Sequence, residues 1–131
     1  MERDSLLIVD DVEINREMLK LIFEEQFNIL EAGDGDEAIS QIENNSGRIA
    51  LLFLDIIMPG KSGLDVLKYM VEKGYMNSIP VIIITGESSP ETEEKAYGYG
   101  ASDVIYKPFE PKVIMRRTMN VIELFSHRMY Y

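Results

Sequence analysis

A chain of 131 residues with 46% hydrophobic side chains is long enough to bury a core and too apolar to be a disordered acidic tail. Its formal net charge of -10 argues against nucleic acid as a direct ligand and suits a cation or a cationic partner. It has no cysteine, which excludes a disulfide framework and thiolate chemistry, and no apolar stretch approaches the ~20 residues of a membrane-spanning helix.

Short apolar runs alternate with amphipathic stretches along the whole chain. Residues 6–9, Leu-Leu-Ile-Val, read as a first strand ending in Asp10-Asp11. Residues 14–25 follow as a helix, with Ile14, Met18, Leu21 and Ile22 on one face. Residues 28–31 are a short second strand. Asp34-Gly35-Asp36 then opens a helix that carries Ala38, Ile39 and Ile42 toward the core. Residues 49–55 are the third strand, and Ser62-Gly63 starts a helix with Leu64, Val66, Leu67 and Met70. Residues 80–85 form the fourth strand. Ser89-Pro90-Glu91 begins a helix by supplying a cap, a first-turn proline and an acid near the positive end of the dipole, and Gly98-Tyr99-Gly100 ends it. Residues 103–106 are the fifth strand. Pro111 opens a last helix with Ile114, Thr118, Val121, Ile122 and Phe125 on its apolar face.

Strict alternation of strand and helix implies an α/β fold, a parallel sheet with helices on both faces. Five such units fit the smaller of the common doubly wound orders, 2-1-3-4-5, in a single domain over residues 1–131 with a core at about 5–126. Ligands are then expected at the carboxyl ends of strands 1 and 3. The third strand is the most telling segment. Its apolar run reaches Asp55 and continues through Ile56, Ile57 and Met58 to the stop at Pro59-Gly60. A buried carboxylate there is costly unless it is paired or holds a metal.

The same rim collects Asp10 and Asp11 from strand 1, Thr85 from strand 4 and Lys107 after strand 5. Taken singly, each has a plain reading: helix caps, a strand-end hydroxyl, a surface charge. Together, three carboxylates repel one another unless a cation joins them, and oxygen-only ligands suit magnesium. A hydroxyl and an ammonium on the far side suit the oxygens of a phosphoryl group. The implied chemistry is phosphoryl transfer onto a carboxylate.

The segments "LLIVDD", "LLFLDIIMPG", "VIIITG" and "YKPF", in this order, resemble the receiver domain of two-component response regulators over about residues 5–126. That family has the flavodoxin-like order 2-1-3-4-5, so the order and the resemblance are one expectation rather than two. The resemblance implies that Asp55 is the phosphoacceptor. It implies that Asp11 is a direct Mg2+ ligand, that Asp10 beside it holds a coordinated water, and that the backbone carbonyl of Ile57 supplies a further ligand. Thr85 resembles the switch hydroxyl and Lys107 the lysine that pairs with the phosphoryl group. Gly86 matches a small residue that leaves the acceptor accessible, and the bond before Pro108 is expected to be cis. One departure stands out. The family often has an aromatic residue three positions before the lysine, where this chain has Val104; its nearest aromatic is Tyr106. Ile57 and Glu87 occupy variable positions flanking the site.

The resemblance implies a cytoplasmic signalling switch rather than an enzyme, one that catalyses only its own phosphorylation and dephosphorylation. The implied partners are a histidine kinase or phosphotransfer protein, a second copy through the fourth helix, fifth strand and fifth helix, and a downstream output domain in the same chain. Residues 120–131 read as the possible start of a linker helix to that output. Arg116 and Arg117 on the last helix read as solvated. An alternative is a phosphoaspartyl hydrolase of the haloacid dehalogenase type, which wants a second aspartate where Ile57 stands. A flavodoxin would need a Ser/Thr-rich phosphate loop where this chain has Asp10-Asp11-Val12-Glu13.

Overall fold

The structure, a computed structural model, describes residues 3–128. Five strands, β1 (Ser5–Val9), β2 (Asn28–Ala32), β3 (Ile49–Leu54), β4 (Val81–Thr85) and β5 (Asp103–Tyr106), alternate with helices α1 (Glu13–Phe23), α2 (Gly35–Asn45), α3 (Gly63–Lys73), α4 (Pro90–Gly98) and α5 (Pro111–Arg128). All strand pairs are parallel, in the order β2-β1-β3-β4-β5. This is the doubly wound parallel sheet expected from the alternation, in the expected order 2-1-3-4-5. The start of the expected linker helix, residues 120–128, continues α5, and residues 129–131 of that expectation lie outside the described residues. No helix among the described residues is long and apolar enough to cross a membrane.

Side-chain alternation splits the core in two. Leu7, Val9, Leu52, Leu54, Val81, Ile83 and Val104 face α2, α3 and α4. Leu6, Ile8, Leu51, Phe53, Ile82, Ile84 and Ile105 face α1 and α5, where the tilted rings of Phe23 and Phe53 pack with centroids 5.3 Å apart. β1, β3 and β4 are buried along their whole length, which is why they read as uninterrupted apolar runs.

Helix boundaries follow local chemistry. Ser62 and Asp65 form a capping box at α3, and Gly74 ends that helix in the left-handed region at φ 81°. Ser89 accepts from the Thr92 N–H at α4, with Pro90 in the first turn. A short 3-10 turn, Tyr75–Asn77, follows α3 and carries no apolar periodicity in the sequence.

The buried face of α1 differs from the one expected. Ile14, Met18 and Leu21 are 66%, 48% and 70% exposed, whereas Leu19 and Phe23 are buried and Ile22 packs beside them. The true face is rotated by about one residue position, some 100° around the helix. Apolar residues occupy both faces of this helix, and contact with the sheet selects between them.

Gly63, the first residue of α3, brings that helix against the end of β3. A Cβ there would lie 2.2 Å from the Asp55 carbonyl oxygen and 2.8 Å from the Ile56 Cα. Both are backbone atoms and cannot swing aside. Gly63→Ala is expected to destabilise the protein by about 2 kcal/mol, read as a lower urea midpoint at unchanged slope.

Candidate functional site

Asp55 follows β3 directly, and its N–H donates to the Val9 carbonyl at 2.9 Å, which ties it to the end of β1. The next residues in that neighbouring strand's path are Asp10 and Asp11. Carboxylate oxygens of Asp10, Asp11 and Asp55 all lie within 4.8 Å of one another, with Asp10 and Asp55 buried and Asp11 exposed. The Lys107 Nζ donates to Asp10 Oδ2 at 2.9 Å and to Asp55 Oδ2 at 3.3 Å. The other oxygens are also engaged: Asp10 Oδ1 accepts from the Val12 N–H at 2.9 Å, and Asp55 Oδ1 from the Ile57 N–H at 3.1 Å.

Two carboxylates against one half-buried ammonium leave the site short of positive charge. Burial pushes the Asp55 carboxyl above the usual carboxylate range; Lys107 opposes that shift and the Asp10 charge adds to it. Burial also works against the Lys107 ammonium, but Asp10 and Asp55 outweigh it and its pKa is raised. An excess of hard oxygen donors at one exposed rim fits a small divalent cation such as magnesium.

The remaining expected residues reach the same rim in different ways. Thr85 is buried at the end of β4, and its hydroxyl accepts from the Glu87 N–H at 3.3 Å, on the loop toward α4. Gly86 is exposed, with open space where a Cβ would stand. The Lys107–Pro108 bond is cis, as expected. The Ile57 side chain is 53% exposed beside the acceptor.

The model of the response regulator receiver domain matches residues 6–119. This chain belongs to that family. It is 33% identical over 122 residues to the phosphate regulon transcriptional regulatory protein PhoB of Escherichia coli K12, covering 92% of this chain and 52% of that protein. It is 32% identical over 129 residues to the transcriptional regulatory protein ResD of Bacillus subtilis 168, covering 97% and 51%. The chain thus spans about half the length of these curated relatives. Among solved structures, a chain of the CheX–CheY–BeF3–Mg2+ complex from Borrelia burgdorferi superposes with a TM-score of 0.83 at 32% identity, covering 90% of this chain and 88% of that one. The domain is therefore a signalling module of the two-component type.

In this receiver, Val104 and Tyr106 share one face of β5, as strand alternation requires. Both line a small pocket between the sheet and α4, together with Ile83, Thr85, Thr92 and Ala96. The Tyr106 hydroxyl donates to the Glu93 carboxylate on α4. Val104 contributes no aromatic ring to this pocket, whose aromatic lining residue is Tyr106.

Arg117, expected to be solvated, is half-exposed but not free. Its Nε and Nη2 donate to Asp103 at 2.8 and 2.7 Å, and Nη2 also to the Val104 carbonyl at 3.2 Å, tying α5 to β5. A fixed guanidinium fork found both oxygens of one carboxylate, a pairing no local pattern encodes. Arg16, Glu31 and Glu93 belong to no motif of the sequence, yet their side chains bind the Asp10 carbonyl, Arg16 and Tyr106. Glu31 near the end of β2 was a visible signal, since that strand's carboxyl edge borders the β1 rim.

Proposed function

We propose that the domain is a phosphoacceptor switch in which Asp55 takes a phosphoryl group from a histidine kinase or phosphotransfer protein. The reading is carried by one observation: a buried aspartate within 4.8 Å of two further carboxylates, with Lys107 at 3.3 Å. Asp10, Asp11, Asp55 and the Ile57 carbonyl would hold magnesium, which supplies positive charge to the phosphoryl oxygens. An Asp55 carboxylate oxygen forms the new bond to phosphorus as the bond from phosphorus to the donor's nitrogen breaks, and the electron pair leaves with that nitrogen. Lys107 moves its hydrogen bonds onto the transferred oxygens. Intact-mass spectrometry after incubation with acetyl phosphate and MgCl2 tests this; a single labile adduct of one phosphoryl group is the expected result.

The phosphoryl group brings close to two negative charges and new acceptor oxygens to the rim. Thr85 turns its hydroxyl toward them and releases the Glu87 N–H, which repositions the loop into α4. The face of α4, β5 and α5 changes and alters pairing with a second copy or an output domain in the same chain. Outside its own phosphorylation and dephosphorylation the domain does no catalysis.

Val104 supplies no aromatic ring, and the Tyr106–Glu93 bond is a side-chain link from β5 to α4. Tyr106→Phe removes it without changing the strand. Amide hydrogen exchange over residues 88–97 is expected to speed by about three- to tenfold, since one lost hydrogen bond is worth roughly 0.5–1.5 kcal/mol. The yield of the phosphoryl adduct should stay unchanged. Unaltered exchange in α4 would remove Tyr106 from the path.

A further inference from the structure

We propose that Arg16 is a positioning residue for the acidic rim, holding the Asp10-Asp11 loop in the geometry that takes up a divalent cation. The inference rests on the phosphoacceptor reading and names a residue outside the set that the motifs supply.

The loop that carries Asp10 and Asp11 is short and lacks a conventional cap. α1 begins at Glu13 with Val12 in the capping position, and no side chain caps it in the usual way. Asp10 Oδ1 takes the Val12 N–H instead. The carboxylate is thereby spent on local structure at one oxygen and on Lys107 at the other. Something else must fix the backbone of Asp10. Its N–H donates to the Ala32 carbonyl at 3.2 Å, and its carbonyl accepts from Arg16 Nη1 at 2.7 Å. The same guanidinium donates through Nε to Glu31 Oε1 on β2 at 3.0 Å, and its side chain is only 17% exposed.

Charge balance separates this role from simple neutralisation. Lys107 already faces Asp10 and Asp55, whereas the charge of Arg16 is met by Glu31. Arg16 therefore contributes direction: a planar fork spanning a backbone carbonyl on one side and a carboxylate on the other. Lysine would keep the charge and the helix but lacks the planar fork whose separate Nη1 and Nε donors reach the two acceptors. Residues that orient metal ligands from outside the coordination sphere typically change metal affinity by about 10–100-fold when removed.

The test uses the 131-residue chain. Mg2+ affinity is read from backbone amide NMR shifts during MgCl2 titration, and melting temperature is measured separately in EDTA. Arg16→Lys and Arg16→Ala should each raise the Mg2+ Kd by about tenfold. Glu31→Gln should raise it in the same direction. At saturating MgCl2, the rate of adduct formation from acetyl phosphate should return to within about twofold of wild type. Arg48→Ala, at an exposed pair with Asp4, serves as a control and should leave the Kd unchanged. A lower melting temperature in EDTA with an unchanged Mg2+ Kd for Arg16→Lys would reduce Arg16 to a tie between α1 and β2 and overturn the proposal. A wild-type protein that takes up no Mg2+ would overturn it together with the phosphoacceptor reading, so the two failures are distinguishable.

Discussion

Asp55→Asn is expected to eliminate the phosphoryl adduct completely while making the metal-free protein more stable. The first effect follows from chemistry. An amide oxygen is a poor nucleophile toward phosphorus, and Asp10 is locked between Lys107 and the Val12 N–H. The second follows from burial, which raises the folded-state pKa of Asp55 above 3.8 against the opposing pull of Lys107. A carboxyl whose pKa is higher in the folded state costs stability once ionised. That cost is absent below the unfolded pKa and complete above the folded one. The asparagine variant should therefore melt a few degrees higher than wild type at pH 7 in EDTA, with the gap closing as pH falls below about 4. Magnesium should stabilise wild type and shrink the gap, by mass action on the folded state. An undiminished adduct on the variant would exclude Asp55 as the acceptor. A variant less stable than wild type at pH 7 would show that the Lys107 contact outweighs desolvation.

Lys107→Ala should be among the most destabilising single changes in the domain, and magnesium should repair much of it. The side chains of Asp10 and Asp55 are 5% and 8% exposed, and both lean on this ammonium. Removing it leaves two buried like charges without a counter-ion, a change that typically costs about 3–5 kcal/mol. Water reaching the rim beside exposed Asp11 places the expectation near the lower end, about 3 kcal/mol. The Asp55 pKa would rise further without the opposing pull of Lys107, so the penalty should grow as pH increases from 4 to 7 and be small at pH 4. Urea denaturation across that range, with and without MgCl2, measures both dependences. Equal stability of variant and wild type at pH 7 in EDTA would mean that the two carboxylates do not depend on Lys107. Adduct formation should also slow, because no other cation of the chain approaches both Asp10 and Asp55 among the described contacts.

How far the chain could be read without coordinates depends on the range of the interaction concerned. Strand and helix identity was legible because fully buried strands leave unbroken apolar runs and because helix starts use local hydrogen bonds, as at Ser62 and Ser89. The rim residues Asp10, Asp11, Asp55, Thr85 and Lys107 were legible for a related reason. Once the strands are parallel, their carboxyl ends must share one edge, whatever the details of packing. Rotation about a helix axis was not legible. α1 has apolar residues on both faces, and only the sheet beneath selects Leu19 and Phe23 over Ile14 and Leu21.

The same limit governs the long-range polar contacts. Arg16 reaches across to Glu31, Arg117 to Asp103 and Tyr106 to Glu93. Each pairs residues at least 13 positions apart whose side chains look like ordinary surface groups in the sequence. Their partners depend on crossing geometry and rotamer, which emerge only when the elements pack. By itself the sequence determined the element order, the acidic rim and the residues that form it, because those follow from local periodicity and strand direction. The tertiary structure alone decided which face of α1 is buried and which charged side chains hold the rim, α4 and α5 in place, because those depend on distances between elements that no local pattern encodes.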